Sequence, residues 1–116
     1  MINNENVDLD KFEFVAIGDT AEIADGDRLF VEIDDLSIIV LNIAGEVFAI
    51  EDKCSHDNGP LEDGDLVDHT IKCPRHGALF DIRSGKAISL PAVVDIASYP
   101  VRINGTEIEV GLPLSL

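Results

Sequence analysis

The sequence predicts an all-β protein of short strands with one loop-rich region. Apolar residues come in short, β-branched runs that Gly, Asp and Asn interrupt, and no segment shows a convincing helical period. An Asn-Gly pair lies between two alternating segments near the C-terminus, which is typical of a β-hairpin. Residues 53–77 break the strand pattern because they are rich in Gly, Pro and Asp. These residues are expected to form two loops.

Nine or ten short strands are expected along the chain. The alternation of apolar and polar residues and the turn residues between the runs define them. In chain order they are 12–17, 27–33, 36–43, 46–52, a short strand around 69–73, 78–82, 86–90, 99–103 and 106–110.

Tight turns are expected between several of these strands. Asp34-Asp35, Ala44-Gly45 and Asn104-Gly105 are the turn pairs, since these residue types tolerate or favour a positive φ. In the last strand, Ile108 and Val110 alternate with two glutamates, Glu107 and Glu109. That alternation predicts one buried face and one face in water.

Length and composition exclude several classes of protein. The 116 residues suit one domain, 1–116, with enough apolar residues for a core. The net charge of −15, from 23 acidic and 8 basic residues, argues against nucleic acid or an anionic membrane as partner. No apolar run approaches the roughly 20 residues of a membrane span, and the first residues lack the features of a secretory signal. A cytoplasmic protein is therefore expected.

Both cysteines and all three histidines of the chain lie between Cys54 and His76. One arm reads Cys54-Ser55-His56 and the other Cys73-Pro74-Arg75-His76, with sixteen residues between His56 and Cys73. Three sites compete on chemistry: a disulfide, a structural zinc ion and a binuclear iron–sulfur cluster with mixed ligands. A disulfide leaves the matched Cys/His arms unexplained, and C-x-H is tight for two ligands of one tetrahedral zinc. A cluster with two metals suits the spacing.

The pattern C-x-H, sixteen residues, C-P-x-H-G resembles that of Rieske proteins, in which two histidines replace two cysteines on one iron. The surrounding "GPLEDGDL", "HGALFDIRSGKA" and "PAVVDIASYPVRI" are similar as well, so the resemblance runs from about Glu46 to the C-terminus. It implies a Rieske-like antiparallel β-sandwich with a [2Fe–2S] cluster bound in a loop-rich subdomain, the region of about 53–92.

The resemblance also implies ligands. Cys54 and Cys73 would hold the inner iron, and His56 and His76 the outer iron near solvent. Pro91 and Ala92 would belong to the loop that packs over the cluster. His69 lies outside both arms and receives no role.

The resemblance further predicts a low reduction potential. Rieske proteins of the cytochrome complexes carry an extra cysteine in each loop, forming a disulfide, and a serine and a tyrosine whose hydroxyls raise the potential. The equivalent positions here carry no cysteine, and Ala78 and Phe80 stand in place of the serine and tyrosine.

The expected function is that of a soluble one-electron carrier between a flavin-dependent ferredoxin reductase and a terminal oxygenase or similar acceptor. It is not expected to be an enzyme, because no catalytic set or second metal site is visible. A small Rieske subunit of a nitrite-reductase-like or iron–sulfur assembly system is the alternative, and a zinc-stabilised binding module the more distant one. Glu62, Asp63 and Asp65 are candidate contacts for a basic reductase. Lys53 and Arg75, which flank ligands, either tune the site or are solvated charges.

Overall fold

The structure is a computed structural model that describes residues 9–55, 57–90, 92 and 94–114. Ten strands make up nearly half of it: β1 Phe12–Asp19, β2 Arg28–Ile33, β3 Leu36–Ile43, β4 Glu46–Glu51, β5 Leu66–Val67, β6 Thr70–Lys72, β7 Leu79–Asp81, β8 Ser98–Tyr99, β9 Val101–Asn104 and β10 Glu107–Pro113. Among the described residues, helix is limited to two 3₁₀ turns, Leu9–Lys11 and Thr20–Glu22. No helix in this part of the chain is long and apolar enough to cross a bilayer. The predicted all-β class is confirmed.

The strands form three antiparallel sheets. The outer sheet has the order β1-β10-β9, the central sheet β2-β3-β4-β8, and the small sheet β5-β6-β7. The small sheet carries the loops of the Cys/His region. The strands that the sequence predicts therefore pair mostly with their neighbours in the chain, whereas β1 closes the outer sheet by pairing with β10.

The two inner strands of the central sheet, β3 and β4, are buried on both faces. Ile38 and Val40 of β3 point into the core shared with the outer sheet, and Ile39 and Leu41 point into the core beneath the Cys/His loops. A strand covered on both sides reads as a continuous apolar run instead of an alternating one. The run "IIVL" in β3 is such a sequence, and all four residues are fully buried.

Two predicted turns have the expected geometry. Asp34, Asp35, Ala44 and Gly45 all have positive φ, and each pair closes a two-residue hairpin. The last hairpin forms as predicted, with a shifted loop. Asn104 pairs with Glu107, so Gly105 and Thr106 are the loop residues.

Two predictions for the C-terminal half are wrong. Residues 86–90 do not form a strand, and only an isolated bridge joins Ala87 to Phe80. The backbone of 86–88 makes two hydrogen bonds to β7, and the pairing ends there because the N–H of Leu79 donates to Ser89 Oγ and the N–H of Lys86 donates to Ser84 Oγ. Glu109 does not face water either. It is 8% exposed and paired with Arg102 at 2.6 Å, so the second face of β10 is partly covered.

Arg28 joins the central sheet to the Cys/His region. Its Nη1 donates to the carbonyl oxygens of Glu62 and Gly64, at 2.7 and 2.9 Å. Both acceptors lie in the segment between the two arms. This segment is therefore fixed to β2 and does not hang freely from the small sheet.

The turn after β7 depends on Gly85. Its φ is +78°, and a Cβ at this position would lie 2.1 Å from the carbonyl oxygen of Ile96. The backbone of Gly85 also accepts a hydrogen bond from the N–H of Ile96 at 2.8 Å. The missing side chain thus lets the segment ending at Ile96 pack directly against the turn.

Gly85→Ala is expected to lower the melting temperature clearly more than Gly45→Ala. Both glycines have positive φ, so each alanine costs about 1 kcal/mol of backbone strain, but a Cβ at Gly45 meets nothing within 4 Å. Only Gly85→Ala adds the steric overlap, typically about 1–3 kcal/mol. Thermal unfolding followed by circular dichroism measures the difference. Equal melting temperatures of the two variants would contradict the close packing at Gly85.

Candidate metal centre

The first arm begins directly after β4 and folds back on itself around Cys54. The N–H of Cys54 donates to the carbonyl oxygen of Gly59, and its own carbonyl accepts from the N–H of Asn58, both at 2.7 Å. Asn58 has a φ of +63°. The sequence allows this because Asn is among the few residues that adopt a positive φ at low cost.

The second arm, which follows β6, repeats this pattern. Cys73 donates its N–H to the carbonyl oxygen of Ala78 at 2.7 Å and accepts from the N–H of Gly77 at 3.0 Å. Gly77 has a φ of +78° and occupies the place that Asn58 holds in the first arm. In both arms the cysteine is therefore bonded to the residues four and five positions later. The arms have the same backbone hydrogen bonding although their sequences differ.

The arms bring the two predicted sulfur ligands together. Cys54 and Cys73 are buried, at 0% and 1% exposure. Their sulfur atoms and a carboxylate oxygen of Asp57 all lie within 4.8 Å of one another. Neither cysteine forms a disulfide. Two adjacent, buried sulfurs outside a disulfide suit metal binding.

The structure describes two of the three histidines, His69 and His76. The His76 side chain is 53% exposed, so its imidazole reaches the surface beside the buried sulfurs. His56 lies outside the described residues, as does Pro91 of the predicted covering loop. His69 is in the β5–β6 turn, where its ring meets Phe48 edge-on at 5.7 Å.

An apolar floor supports both cysteines. Cys54 and Cys73 belong to one buried cluster with residues of the central sheet, the small sheet and the loops: Ile39, Leu41, Phe48, Ile50, Leu61, Ile71, Ala78, Phe80, Ile82, Ala92 and Ile96. Phe80 is fully buried there, and Ala92 packs into the same cluster. This floor keeps water from the sulfur side of the site and leaves the His76 side open.

The backbone of the second arm favours a thiolate at Cys73. Burial raises the pKa of its thiol, but hydrogen bonds from the backbone N–H groups of His76 and Arg75 more than offset this and hold the pKa below its usual value. N–H groups aimed at a sulfur stabilise its negative charge. The thiolate is the form that binds metals.

Asp57 and Arg75 connect the two arms. Arg75 Nε lies 2.5 Å from Asp57 Oδ2, and Arg75 Nη2 donates to Oδ1 at 3.0 Å. The Arg75 guanidinium and the Gly59 N–H hold the pKa of the Asp57 carboxyl well below its usual range. Asp57 is a residue of the site that the sequence pattern alone did not indicate. The signal available was an acidic residue in one arm and a basic residue in the other, each within three positions of a cysteine.

The donor set suits a metal centre that both arms bind. Sulfur and imidazole are ligands of zinc, copper and iron–sulfur centres, and the site presents two buried sulfurs with an exposed imidazole beside them. Asp57 is near enough to be a third ligand. Its oxygens, however, already accept hydrogen bonds from Arg75 and Gly59. The carboxylate is therefore better suited to holding the loops than to binding metal.

Two matching loops with sulfur and imidazole donors, placed at one end of a small β structure, are typical of iron–sulfur electron carriers. Comparison with known proteins identifies the family. Residues 13–100 match the family described as "Rieske [2Fe-2S] domain", which is most of the chain. The chain belongs to the Rieske [2Fe–2S] family.

Relatives and solved structures agree with this assignment. The 3-phenylpropionate/cinnamic acid dioxygenase ferredoxin subunit of Escherichia coli (strain K12) is 38% identical over 94 residues, covering 80% of this chain and 88% of the relative. The Sphingomonas yanoikuyae B1 ferredoxin is 32% identical with a TM-score of 0.79, covering 87% of this chain and 100% of that one. The ferredoxin of carbazole 1,9a-dioxygenase from Nocardioides aromaticivorans IC177 is 30% identical with a TM-score of 0.79, covering 84% and 95%.

These comparisons confirm the predicted family, fold and cofactor. The cofactor is a [2Fe–2S] cluster of the Rieske type, and the chain is an electron-transfer protein and not an enzyme in its own right. The zinc-stabilised binding module is thereby disfavoured. When bound, the cluster supplies a site that accepts and releases one electron at a time.

The reduction potential is expected near the low end of the Rieske range, about −150 mV. Ala78 and Phe80 are both fully buried beside the arms and have no hydroxyl to donate to sulfur. Fewer hydrogen bonds to the sulfurs leave the reduced state less stabilised. An EPR-monitored redox titration gives the midpoint. A midpoint well above zero would contradict the prediction.

Proposed function

We propose that Cys54 and Cys73 bind one iron of the cluster and that His56 and His76 bind the other. The close approach of the two buried sulfurs supports the cysteine assignment. The exposed His76 side chain supports the histidine assignment, because an imidazole at the surface offers a short path for an electron. The proposal further places the whole chain, 1–116, in one domain with its cluster-binding region at about 53–92. The apolar core that the central sheet shares with the arms supports a single domain.

The proposed function is one-electron transfer from a flavin-dependent ferredoxin reductase to a terminal oxygenase. The observation that carries it is the identity to ferredoxin subunits of dioxygenases, 38% in the Escherichia coli relative. These relatives favour an oxygenase over a nitrite-reductase-like or assembly-related acceptor. A reconstituted assay tests the function directly: the chain should be needed for a reductase to support turnover of a Rieske oxygenase.

A cytoplasmic location is part of the same proposal. Cys54 and Cys73 lie close together without forming a disulfide. Intracellular thiols are kept reduced, and a reduced thiol is what cluster binding requires.

His76→Cys is expected to lower the reduction potential, whereas His69→Cys leaves it unchanged. A thiolate in place of a neutral imidazole adds negative charge to the site and makes the addition of an electron less favourable. His69 is the matched control because it lies in the β5–β6 turn, outside both arms. EPR and visible spectra before and after dithionite report the ligands. An unchanged spectrum and potential in His76→Cys would mean that His76 is not a ligand.

Acidic residues border the second arm on one side. Asp63 and Asp65 line a depression of about 530 Å³ together with Cys73 and His76, and the basic residues Lys72 and Arg75 line it as well. The side-chain hydrogen bond between Glu62 and Asp52 and the repulsion among neighbouring carboxylates raise the pKa of Glu62. This crowding of negative charge beside the site suits a basic docking partner.

Neutralising Glu62, Asp63 and Asp65 to their amides is expected to slow reduction by the reductase and to weaken its dependence on ionic strength. Negative charge near the exposed His76 side chain steers a basic partner toward the site, and salt screens that attraction. The matched control is the triple variant Glu13→Gln, Glu32→Gln and Glu107→Gln, which removes three charges from exposed positions on strands β1, β2 and β10. Stopped-flow reduction at several salt concentrations measures both. Equal rates for the two triple variants would show that only net charge matters.

A further inference from the structure

The Arg75 side chain extends away from its own arm, and its hydrogen bonds within the described residues all go to the other arm. Besides the two bonds to Asp57, its Nη1 donates to the carbonyl oxygen of Pro60 at 2.8 Å. One planar guanidinium thus binds a carboxylate and a backbone carbonyl eighteen and fifteen positions away in sequence. We call this set of contacts the Arg75–Asp57 clasp.

Gly59 provides the space for the clasp. A Cβ at this residue would lie 2.6 Å from Cζ of Arg75 and 2.7 Å from its Nη2. The N–H of Gly59 donates to Asp57 Oδ1 at 2.9 Å and fixes the carboxylate in place. The first arm is therefore shaped to receive the guanidinium, which distinguishes this contact from a chance pair of surface charges.

The clasp is only partly open to solvent. The side chains of Arg75 and Asp57 are 34% and 19% exposed. Isolated exposed ion pairs contribute little to stability, whereas bidentate Arg–carboxylate pairs add defined geometry. A second pair in the same subdomain shows the contrast. Arg83 also binds Asp81 through two nitrogens, but the two residues are neighbours in one turn. Their ion pair therefore connects no separate segments of the chain.

We propose that Arg75 is a positioning residue for the cluster, and that its clasp on Asp57 and Pro60 holds the two arms at the spacing that the cluster needs. This inference rests on the proposed ligands, since it assigns Cys54 to one arm and Cys73 and His76 to the other. Each arm is a loop whose ordering costs conformational entropy. A guanidinium fork that spans both arms fixes them relative to each other, so the sulfur atoms stay close without a covalent link.

The test compares the retention of the cluster in substituted holoproteins. Arg75→Lys, Arg75→Gln and Asp57→Asn are each expected to lose the visible absorption of the cluster at least about threefold faster than the parent in excess iron chelator. Lysine keeps the charge but lacks the fork, so it does not rescue. Asparagine at 57 keeps a side-chain acceptor for the Gly59 N–H and removes the ion pair. Arg83→Gln, the matched control, stays within about twofold of the parent.

Two further readouts separate positioning from a general loss of stability. The double variant Arg75→Gln/Asp57→Asn is expected to lose its cluster no faster than Arg75→Gln alone, because that change already breaks the ion pair as well as the bond to Pro60. The reduced-state EPR signal of Arg75→Lys should be broader than that of the parent, with shifted g values, while Arg83→Lys keeps the parent signal. Fully additive rates, or cluster loss in Arg75→Lys no faster than in the Arg83 control, would overturn the proposal.

Failure of the ligand assignment gives a different result. It would appear in the unsubstituted protein, whose reduced EPR signal would lack the low average g of mixed Cys/His ligation. If the parent shows that signal and the Arg75 variants retain the cluster as the Arg83 control does, only the clasp is disproved. An Arg75 variant that folds like the control but never acquires a cluster supports the proposal.

Discussion

Burial of β3 and β4, the inner strands of the central sheet, on both faces is the constraint on which the rest of the structure depends. One face of β3 and β4 forms the sandwich core with the outer sheet, and the other face forms the floor beneath the two cysteines. Ile39 and Leu41 alternate with Ile38 and Val40 to serve both cores. The electron-transfer site is thus built directly on the inner strands of the central sheet, and a rigid base holds its loops. Rigid support of this kind limits the reorganisation of the ligands when the charge of the site changes.

Much of the β framework could be predicted from sequence because it depends on local signals. Asp34-Asp35 and Ala44-Gly45 carry the turn chemistry themselves, and the apolar runs between such turns can only be strands. Residues 86–90 show where this fails. Their pattern resembles a strand, but the N–H groups of Leu79 and Lys86, which would extend the pairing with β7, donate to the hydroxyls of Ser89 and Ser84. The prediction that Glu109 faces water fails for a similar reason. Arg102 on the neighbouring strand pairs with Glu109 and neutralises its charge, which allows the side chain to be buried.

In the candidate site, too, the residue types could be predicted from sequence, whereas contacts between distant residues could not. The Cys/His spacing shows which side chains have the chemistry to bind iron, and the structure brings Cys54 and Cys73 together as that spacing requires. The likeness of the arms is hidden in the sequence, because Asn58 and Gly77 reach the same positive φ with different side chains. The pairing of Arg75 with Asp57 is hidden as well. Eighteen positions separate them, and only the packing of one arm against the other makes them neighbours.

The way the arms are joined has a consequence for how the protein acquires its cofactor. The chain has two cysteines, and both lie in the site. Because an ion pair links the arms, no thiol is used up in a crosslink, and no oxidation has to precede insertion of the cluster. There are no extra thiols that could pair wrongly with Cys54 or Cys73 during maturation. Reductants that would open a disulfide leave this link intact. Folding and metal loading can therefore proceed in the same reducing environment, in one compartment and without an oxidase.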